Sequence, residues 1–176
     1  MSRLKTPLIV QILVFLIPLN IYVIGNRWGT GIQWALFQYQ HTVLGNSLNL
    51  VSDNIIIVLT GIIASERTAI SLSLWVVGVL LFSIATIILI LANIEGEISL
   101  VRKASLFTIT GGLVLLISLI FQYGIGLNGP SGFAIPVGIP VVLIIGWWMY
   151  LFPDEDAIIE DADEDGPNDS KSNVSE

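Results

Sequence analysis

The chain has 176 residues, of which 54% are hydrophobic and only 12% are charged, and its mean hydropathy is +0.84. A soluble domain carries about 25% charged residues, so this composition predicts an integral membrane protein and excludes an ordinary soluble domain. The formal net charge is −7, and most of the acidic residues lie in the segment 154–176. The absence of cysteine excludes disulfides, thiolate metal ligands and nucleophilic cysteines.

Four apolar runs are long enough to cross a bilayer, since a hydrocarbon core about 30 Å thick needs roughly 20 apolar residues in a helix. We predict spans at residues 7–25, 68–93, 106–124 and 133–152. The expected fold class is an all-α integral membrane protein, a small bundle of four transmembrane helices within one domain, 1–153. The first run exceeds the roughly 7–15 apolar residues of a secretory signal, so we interpret it as an uncleaved helix.

The segment between the first two predicted spans, residues 26–67, is the least regular part of the chain. Its first half mixes glutamines with aromatic residues and predicts an interfacial structure, whereas residues 48–64 are mostly apolar. We predict an external cap that contains a half-helix or a surface helix. The alternative is a fifth span over 48–64, which would place Asp53 near the membrane, where an aspartate at the bilayer centre costs roughly 2.5–3.5 kcal/mol.

The positions of lysine and arginine predict the orientation, because short loops that carry these residues tend to stay in the cytoplasm. With four spans, one side holds Arg3, Lys5, Arg102 and Lys103, and the other holds Arg27 and Arg67. We therefore expect a multi-pass protein of the cell membrane whose N- and C-termini are both cytoplasmic.

Small and polar residues inside the predicted spans mark candidate helix contacts. Ser105, Thr108 and Gly112 fall on one face of the third span, a spacing that permits close backbone approach and hydroxyl hydrogen bonds between helices. Pro136 and Pro140 are four residues apart in the last span and predict a bend or a break there, which could serve as a hinge.

The ionisable residues of the predicted cap form the second candidate group. We expect them to pair with one another and to organise the cap, at about 0–1 kcal/mol for each exposed pair. The group consists of Arg27, His41, Asp53, Glu66 and Arg67. Because His41 is the only histidine and no strand–turn–helix frame surrounds a serine, we predict no catalytic residue, no metal site and no cofactor.

The C-terminal segment 154–176 carries dense negative charge and predicts a disordered acidic tail. Residues 161–166 match the opening of a calcium-binding loop, but the twelfth position is Ser172 instead of glutamate, so no EF-hand is predicted. In composition, the acidic tail beside a valine- and isoleucine-rich core resembles the small membrane proteins of salt-loving archaea.

The four predicted spans contain no ionisable residue, which argues against an ion-coupled transporter. The expected function is that of a non-enzymatic accessory, assembly or envelope component that acts through helix–helix and cap contacts. The alternative is an oligomeric channel or small transporter beside the proline-containing last span, and a membrane enzyme ranks third. The expected partners are the lipid bilayer and a membrane protein or a second copy of the chain, and nucleic acid is not expected.

Overall fold

The structure is a computed structural model that describes residues 4–25, 28–61 and 66–152. The helices of this part are α1 (Lys5–Leu16), α2 (Val51–Thr60), α3 (Glu66–Glu95), α4 (Ser99–Tyr123) and α5 (Ile139–Tyr150). The strands are β1 (Asn20–Ile24), β2 (Gly29–Gln33), β3 (Phe37–Thr42), β4 (Gly45–Leu50), β5 (Asn128–Gly129) and β6 (Gly132–Ile135). All six strands form one antiparallel sheet in the order β4-β3-β2-β1-β6-β5.

The prediction of an all-α bundle of four transmembrane helices is wrong, because a six-stranded sheet accompanies the helices. In the described part of the chain, only α3 and α4 are long and apolar enough to cross a membrane, by length and composition. These two helices suggest membrane association. The predicted spans 68–93 and 106–124 correspond to them, whereas the runs 7–25 and 133–152 are each divided between a strand and a short helix.

Pro18 explains why the first apolar run does not form one helix. The residue before a proline is pushed towards the extended region, and Ile17 accordingly has φ −75° and ψ 130° directly after the last residue of α1. The residues that follow include β-branched Ile21 and Val23, which favour the strand β1. A continuous apolar run fits either a helix or a strand, so its length alone led to the wrong element.

Prolines divide the last apolar run in the same way. Pro136 lies between β6 and α5, and Pro140 lies in the first turn of α5, where the missing N–H costs nothing. The chain therefore changes from strand to helix at the position where we predicted a bend or a break in a spanning helix.

In the described part of the predicted interfacial cap, residues 26–67, the chain forms the strands β2, β3 and β4 and the helix α2. Alternating residues in β3 point to opposite faces, with Gln38 and Gln40 on one face and Tyr39 and His41 on the other. The helix in the second half, α2, has ten residues, which is half of the roughly 20 that a spanning helix needs. The segment is thus neither an interfacial half-helix alone nor a fifth span of sufficient length.

Glycines allow the long helices to pack closely. A Cβ atom added at Gly111 of α4 would lie 2.6 Å from the Phe82 ring of α3. A Cβ atom at Gly146 of α5 would lie 2.6 Å from the side chain of Ile109 on α4. Helix α4 therefore lies between α3 and α5, in contacts that only glycine permits at these two positions.

The two ends of the helical bundle differ. The start of α1, the end of α3, the start of α4 and the end of α5 meet in one apolar cluster that includes Leu4, Val101 and Met149. A second cluster, which includes Tyr22 and Trp75, joins the opposite end of α3 and α4 to the sheet. Residues 4 and 152 therefore lie at the end of the bundle away from the sheet.

Candidate functional site: a sheet with a polar inner face and an apolar outer face

One face of the sheet, here called the inner face, is polar and is directed at α3 and α4. The strand register places Asn20, Gln33 and Gln38 next to one another across β1, β2 and β3. Gln40 lies on the same face of β3, and Asn49 of β4 lies directly opposite Gln38. Amide side chains thus occupy positions that a sheet packed on helices normally gives to apolar residues.

A cavity of about 290 Å³ separates the inner face from the helices. Its lining combines amide, hydroxyl and aromatic side chains from the sheet, from the first turns of α3 and from the last turns of α4. The polar and aromatic side chains that line it are Tyr22, Gln33, Gln38, Gln40, Thr68, Ser71, Trp75, Ser118, Gln122, Tyr123 and Ser131. None of the described residues that line the cavity carries a charge.

Two hydrogen bonds fix the amides at one side of the cavity. Asn20 Nδ2 donates to Gln33 Oε1 at 2.8 Å, and the Tyr22 hydroxyl donates to Gln40 Oε1 at 3.3 Å. Both glutamine carbonyl oxygens are therefore occupied, which leaves the two Nε2 groups as donors. Burial raises the pKa of Tyr22 to about 12, so its hydroxyl stays protonated and continues to donate at neutral pH.

Other amide groups of this region have no protein partner. Asn20 is fully buried, and its Oδ1 atom has no hydrogen bond among the described residues. The Gln38 and Gln122 side chains line the cavity, and neither forms a hydrogen bond to another described residue. An unpaired buried amide costs about 1–3 kcal/mol, so Asn20 Oδ1 needs water or a bound molecule as a partner. The Gln38 and Gln122 side chains are half-buried, so their amides are accessible from the cavity.

A pair of serines closes the helix side of the cavity. Ser118 Oγ donates to the backbone oxygen of Ser71 at 2.7 Å, and Ser71 Oγ donates to the backbone oxygen of Ser118 at 3.0 Å. These reciprocal bonds hold α3 and α4 at a fixed distance next to the Trp75 side chain, which is almost completely buried. The cavity therefore has a rigid wall on this side.

The opposite face of the sheet, here called the outer face, is apolar and exposed. Its largest side chains are each between 40% and 60% exposed, namely Ile21, Tyr39, Leu48, Leu50, Phe133 and Ile135. The register places them on the side opposite to the cavity. This polarity is the reverse of a sheet with one face in water, and a continuous exposed apolar patch marks a surface that something else covers.

The predicted helix-contact residues Ser105, Thr108 and Gly112 are all buried in α4. Thr108 Oγ1 donates to Oε1 of the buried Gln11 at 2.9 Å, and Gln11 Nε2 donates to the backbone oxygen of Phe82 at 3.4 Å. Gln11 was not predicted as a contact residue, although a lone amide in an apolar helix is a signal for such a contact. One side chain thus links α1, α3 and α4.

The predicted polar cluster of the cap is not brought together in the described part of the chain. His41 Nδ1 is hydrogen-bonded to Asn46 Oδ1, and Asp53 Oδ2 accepts from the backbone N–H of Leu50 at 3.0 Å, which caps α2. Glu66 and Arg67 are exposed in the first turn of α3, and the described residues show no ion pair among these four positions. Arg27 and the acidic tail lie outside the described residues.

Within the same described ranges, no group of three or more histidine, aspartate or glutamate side chains is arranged to hold a metal ion. No protein-family model matches the sequence, and comparisons with curated proteins and with solved structures return no match.

Proposed function

We propose that this chain is a multi-pass protein of the cell membrane that acts by contact and not by catalysis, as an accessory or assembly component. In this proposal, the outer face of the sheet binds a membrane-protein partner. The observation that supports it is the exposure of a continuous apolar surface on a sheet whose glutamine side chains all face inwards. Transfer of apolar surface out of water is favourable by roughly 25 cal/mol per Å², so it would be energetically unfavourable to leave this face exposed to water.

The helix lengths support a position for the sheet at the level of the lipid headgroups. Helix α3 has 30 residues and is about 45 Å long, whereas the hydrocarbon core is about 30 Å thick. Roughly ten residues of α3 therefore extend beyond the core. The cavity beneath the sheet is lined by Thr68, Ser71 and Trp75, which all belong to the first ten residues of this helix.

The charge distribution supports an orientation with the sheet outside the cell. Lys5, Arg102 and Lys103 belong to the end of the bundle that also holds residues 4 and 152, whereas Arg67 lies at the sheet end. Positive charge is enriched in cytoplasmic loops. Both termini would therefore be cytoplasmic, and the outer face would be open to a partner outside the membrane.

The chemistry of the outer face suits a protein partner. The apolar patch includes the aromatic residues Tyr39 and Phe133, and polar His41 and Thr30 lie among them. A groove of about 530 Å³ runs between Trp28, Val43 and Phe133 on this face. Aromatic side chains beside hydrogen-bonding groups are typical of protein interfaces.

Photo-crosslinking in cells tests the proposal. A photoreactive residue at Leu48 or Ile135 on the outer face should capture a specific protein, whereas the same residue at Ile87, on an exposed part of α3, should capture lipid. The double substitution Leu48→Glu and Phe133→Glu should release the partner from the complex on a native gel. Ser52→Glu on α2 is the matched charge control and should leave the complex intact. Crosslinks from the outer face to lipid alone would contradict the proposal.

Contacts within the chain argue against the alternative of an oligomeric channel or small transporter. Gly112 packs against Leu143 of α5, and Thr108 is bonded to Gln11, so the face of α4 next to the last helix is occupied by contacts within the chain. Pro140 lies in the first turn of α5, outside the helix interior.

A further inference from the structure

We propose that the cavity between the inner face and helices α3 and α4 binds a neutral sugar ring, either as a free glycoside or as the headgroup of a glycolipid. This inference is independent of the partner that covers the outer face, since the two surfaces lie on opposite sides of the sheet. It depends on the size of the cavity, on its lack of charge and on the kind of hydrogen-bonding groups that line it.

The size of the cavity suits a small ligand. Its volume of about 290 Å³ lies at the lower end of the roughly 300–1,000 Å³ that is usual for ligand sites. The same volume corresponds to about ten water molecules, at about 30 Å³ each. A single sugar ring matches this size better than a longer oligosaccharide or a large cofactor.

The groups that line the cavity suit a ligand that is neutral and rich in hydroxyls. The described lining residues carry no charge, so an anion would find no cation and a cation would find no carboxylate. A carboxamide both donates and accepts, as a sugar hydroxyl does. Gln33 and Gln40 accept hydrogen bonds at their side-chain oxygens, and their Nε2 groups donate to no other described residue. For Gln38 and Gln122, neither the side-chain oxygen nor the Nε2 group is bonded to another described residue.

An aromatic wall completes the site. Trp75, Tyr22 and Tyr123 line the cavity, and each is less than a tenth exposed, so their positions are fixed by packing. Because little of each ring is accessible from the cavity, the half-buried Ile24 and Leu72 side chains, which also line it, add the apolar contact for the C–H face of a pyranose ring. Trp75 also lies near the headgroup level in the proposed membrane position, which is where a glycolipid presents its sugar.

The test uses the full chain in phosphatidylcholine nanodiscs and a panel of methyl pyranosides as probes, with saturation-transfer NMR as the readout. A second set of nanodiscs contains a monogalactosyl lipid, and binding is measured there by competition with the pyranosides. We expect one of the pyranosides or the glycolipid to bind. Preference for the free glycoside would identify a soluble ligand, and preference for the glycolipid would identify a membrane lipid.

Two variants separate the proposal from a cavity that holds only water. Gln38→Met combined with Gln122→Met removes both unpartnered amides at nearly constant length and should weaken binding at least tenfold. The control Asn49→Leu removes an amide from the same face of β4, outside the cavity lining, and should bind as the unmodified chain does. Because the removed amides have no partner among the described residues, the double variant should also unfold at the same or a higher temperature.

No binding of any pyranoside or glycolipid would overturn the inference, as would binding that the double variant leaves unchanged. Loss of binding in Asn49→Leu as well would also overturn it, since the effect would then not come from the cavity. If the photo-crosslinking experiment captured no protein partner but the chain bound a sugar, only the proposed function would be contradicted.

Discussion

The hydrogen bond between Gln11 and Thr108 gives a quantitative test of how α1 packs in the bundle. Both side chains are fully buried, and Thr108 Oγ1 donates to Gln11 Oε1 at 2.9 Å. Thr108→Val removes the donor and leaves a buried carbonyl oxygen unpaired. Hydrogen bonds between helices in membranes contribute about 0.6 kcal/mol on average and up to about 1.7 kcal/mol. Because both side chains are 0% exposed, we expect the bond between Gln11 and Thr108 to lie near the upper value.

A double-mutant cycle isolates this contact. We expect Thr108→Val and Gln11→Leu each to lower the free energy of unfolding by about 1–2 kcal/mol. The combination should cost less than the sum of the two, by roughly the coupling of 0.6–1.7 kcal/mol, because the Gln11 carbonyl oxygen that Thr108→Val leaves unpaired is then absent. The assay is unfolding in mixed micelles with increasing denaturing detergent, followed by circular dichroism.

Thr110→Val is the matched control for this cycle, because Thr110 lies on the exposed side of the same helix. Its unfolding free energy should stay within about 0.5 kcal/mol of the unmodified chain. Strict additivity of Thr108→Val and Gln11→Leu would refute the contact and, with it, the position of α1 against α4.

Three further predictions concern packing, pH and capping. Gly111→Val should destabilise the bundle by about 1–3 kcal/mol in the same assay, because its Cβ would meet the buried Phe82 ring, and an unchanged midpoint would show that α3 and α4 are further apart. Burial raises the pKa of Tyr22 from 10.0 to about 12, so the folded state favours the protonated phenol. The contribution of this group to the free energy of unfolding is therefore fully present below pH 10 and is lost as the pH rises through 12. Thermal unfolding of Tyr22→Phe should therefore depend less on pH in that window, and an identical pH profile would argue against burial of the phenol. Asp53→Ala should speed hydrogen exchange at the start of α2, at a cost of about 0.5–2 kcal/mol, and protection unchanged from the parent would mean that the carboxylate does not cap the helix.

The long helices were predictable from the sequence, whereas the sheet was not recovered. For α3 and α4, length and hydropathy were sufficient, because nothing in 68–93 or 106–124 interrupts a helix. For the first run, length and hydropathy did not reveal that the helix ends before Pro18 and that a strand follows. Summed hydropathy does not distinguish an apolar strand from an apolar helix. A count of period-two positions would have shown the alternation around Tyr39 in β3.

The candidate site was predictable only in part. The glutamines of β3 were visible as a polar pattern, but their direction towards α3 and α4 depends on the register of β1 with both β2 and β6. That register joins residues more than a hundred positions apart, such as Ile21 and Ile135. The contact between Gln11 and Thr108 has a similar separation of 97 positions. Local pattern therefore identified polar groups but not the groups they meet.

A pair of engineered cysteines tests the central claim, which is the division of the sheet into a polar inner face and an apolar outer face. The natural chain has no cysteine, so Ile21→Cys with Ile135→Cys gives a clean readout. These positions are directly opposite on the outer face, where Cβ atoms are about 4.5–5.5 Å apart, and mild oxidation should join them in a disulfide that mass spectrometry detects. The control Ile21→Cys with Ala134→Cys directs the two thiols to opposite faces and should not crosslink. Crosslinking of the control pair instead would show that β6 is shifted by one residue, which would move Phe133 and Ile135 off the outer face and contradict the outer surface as described.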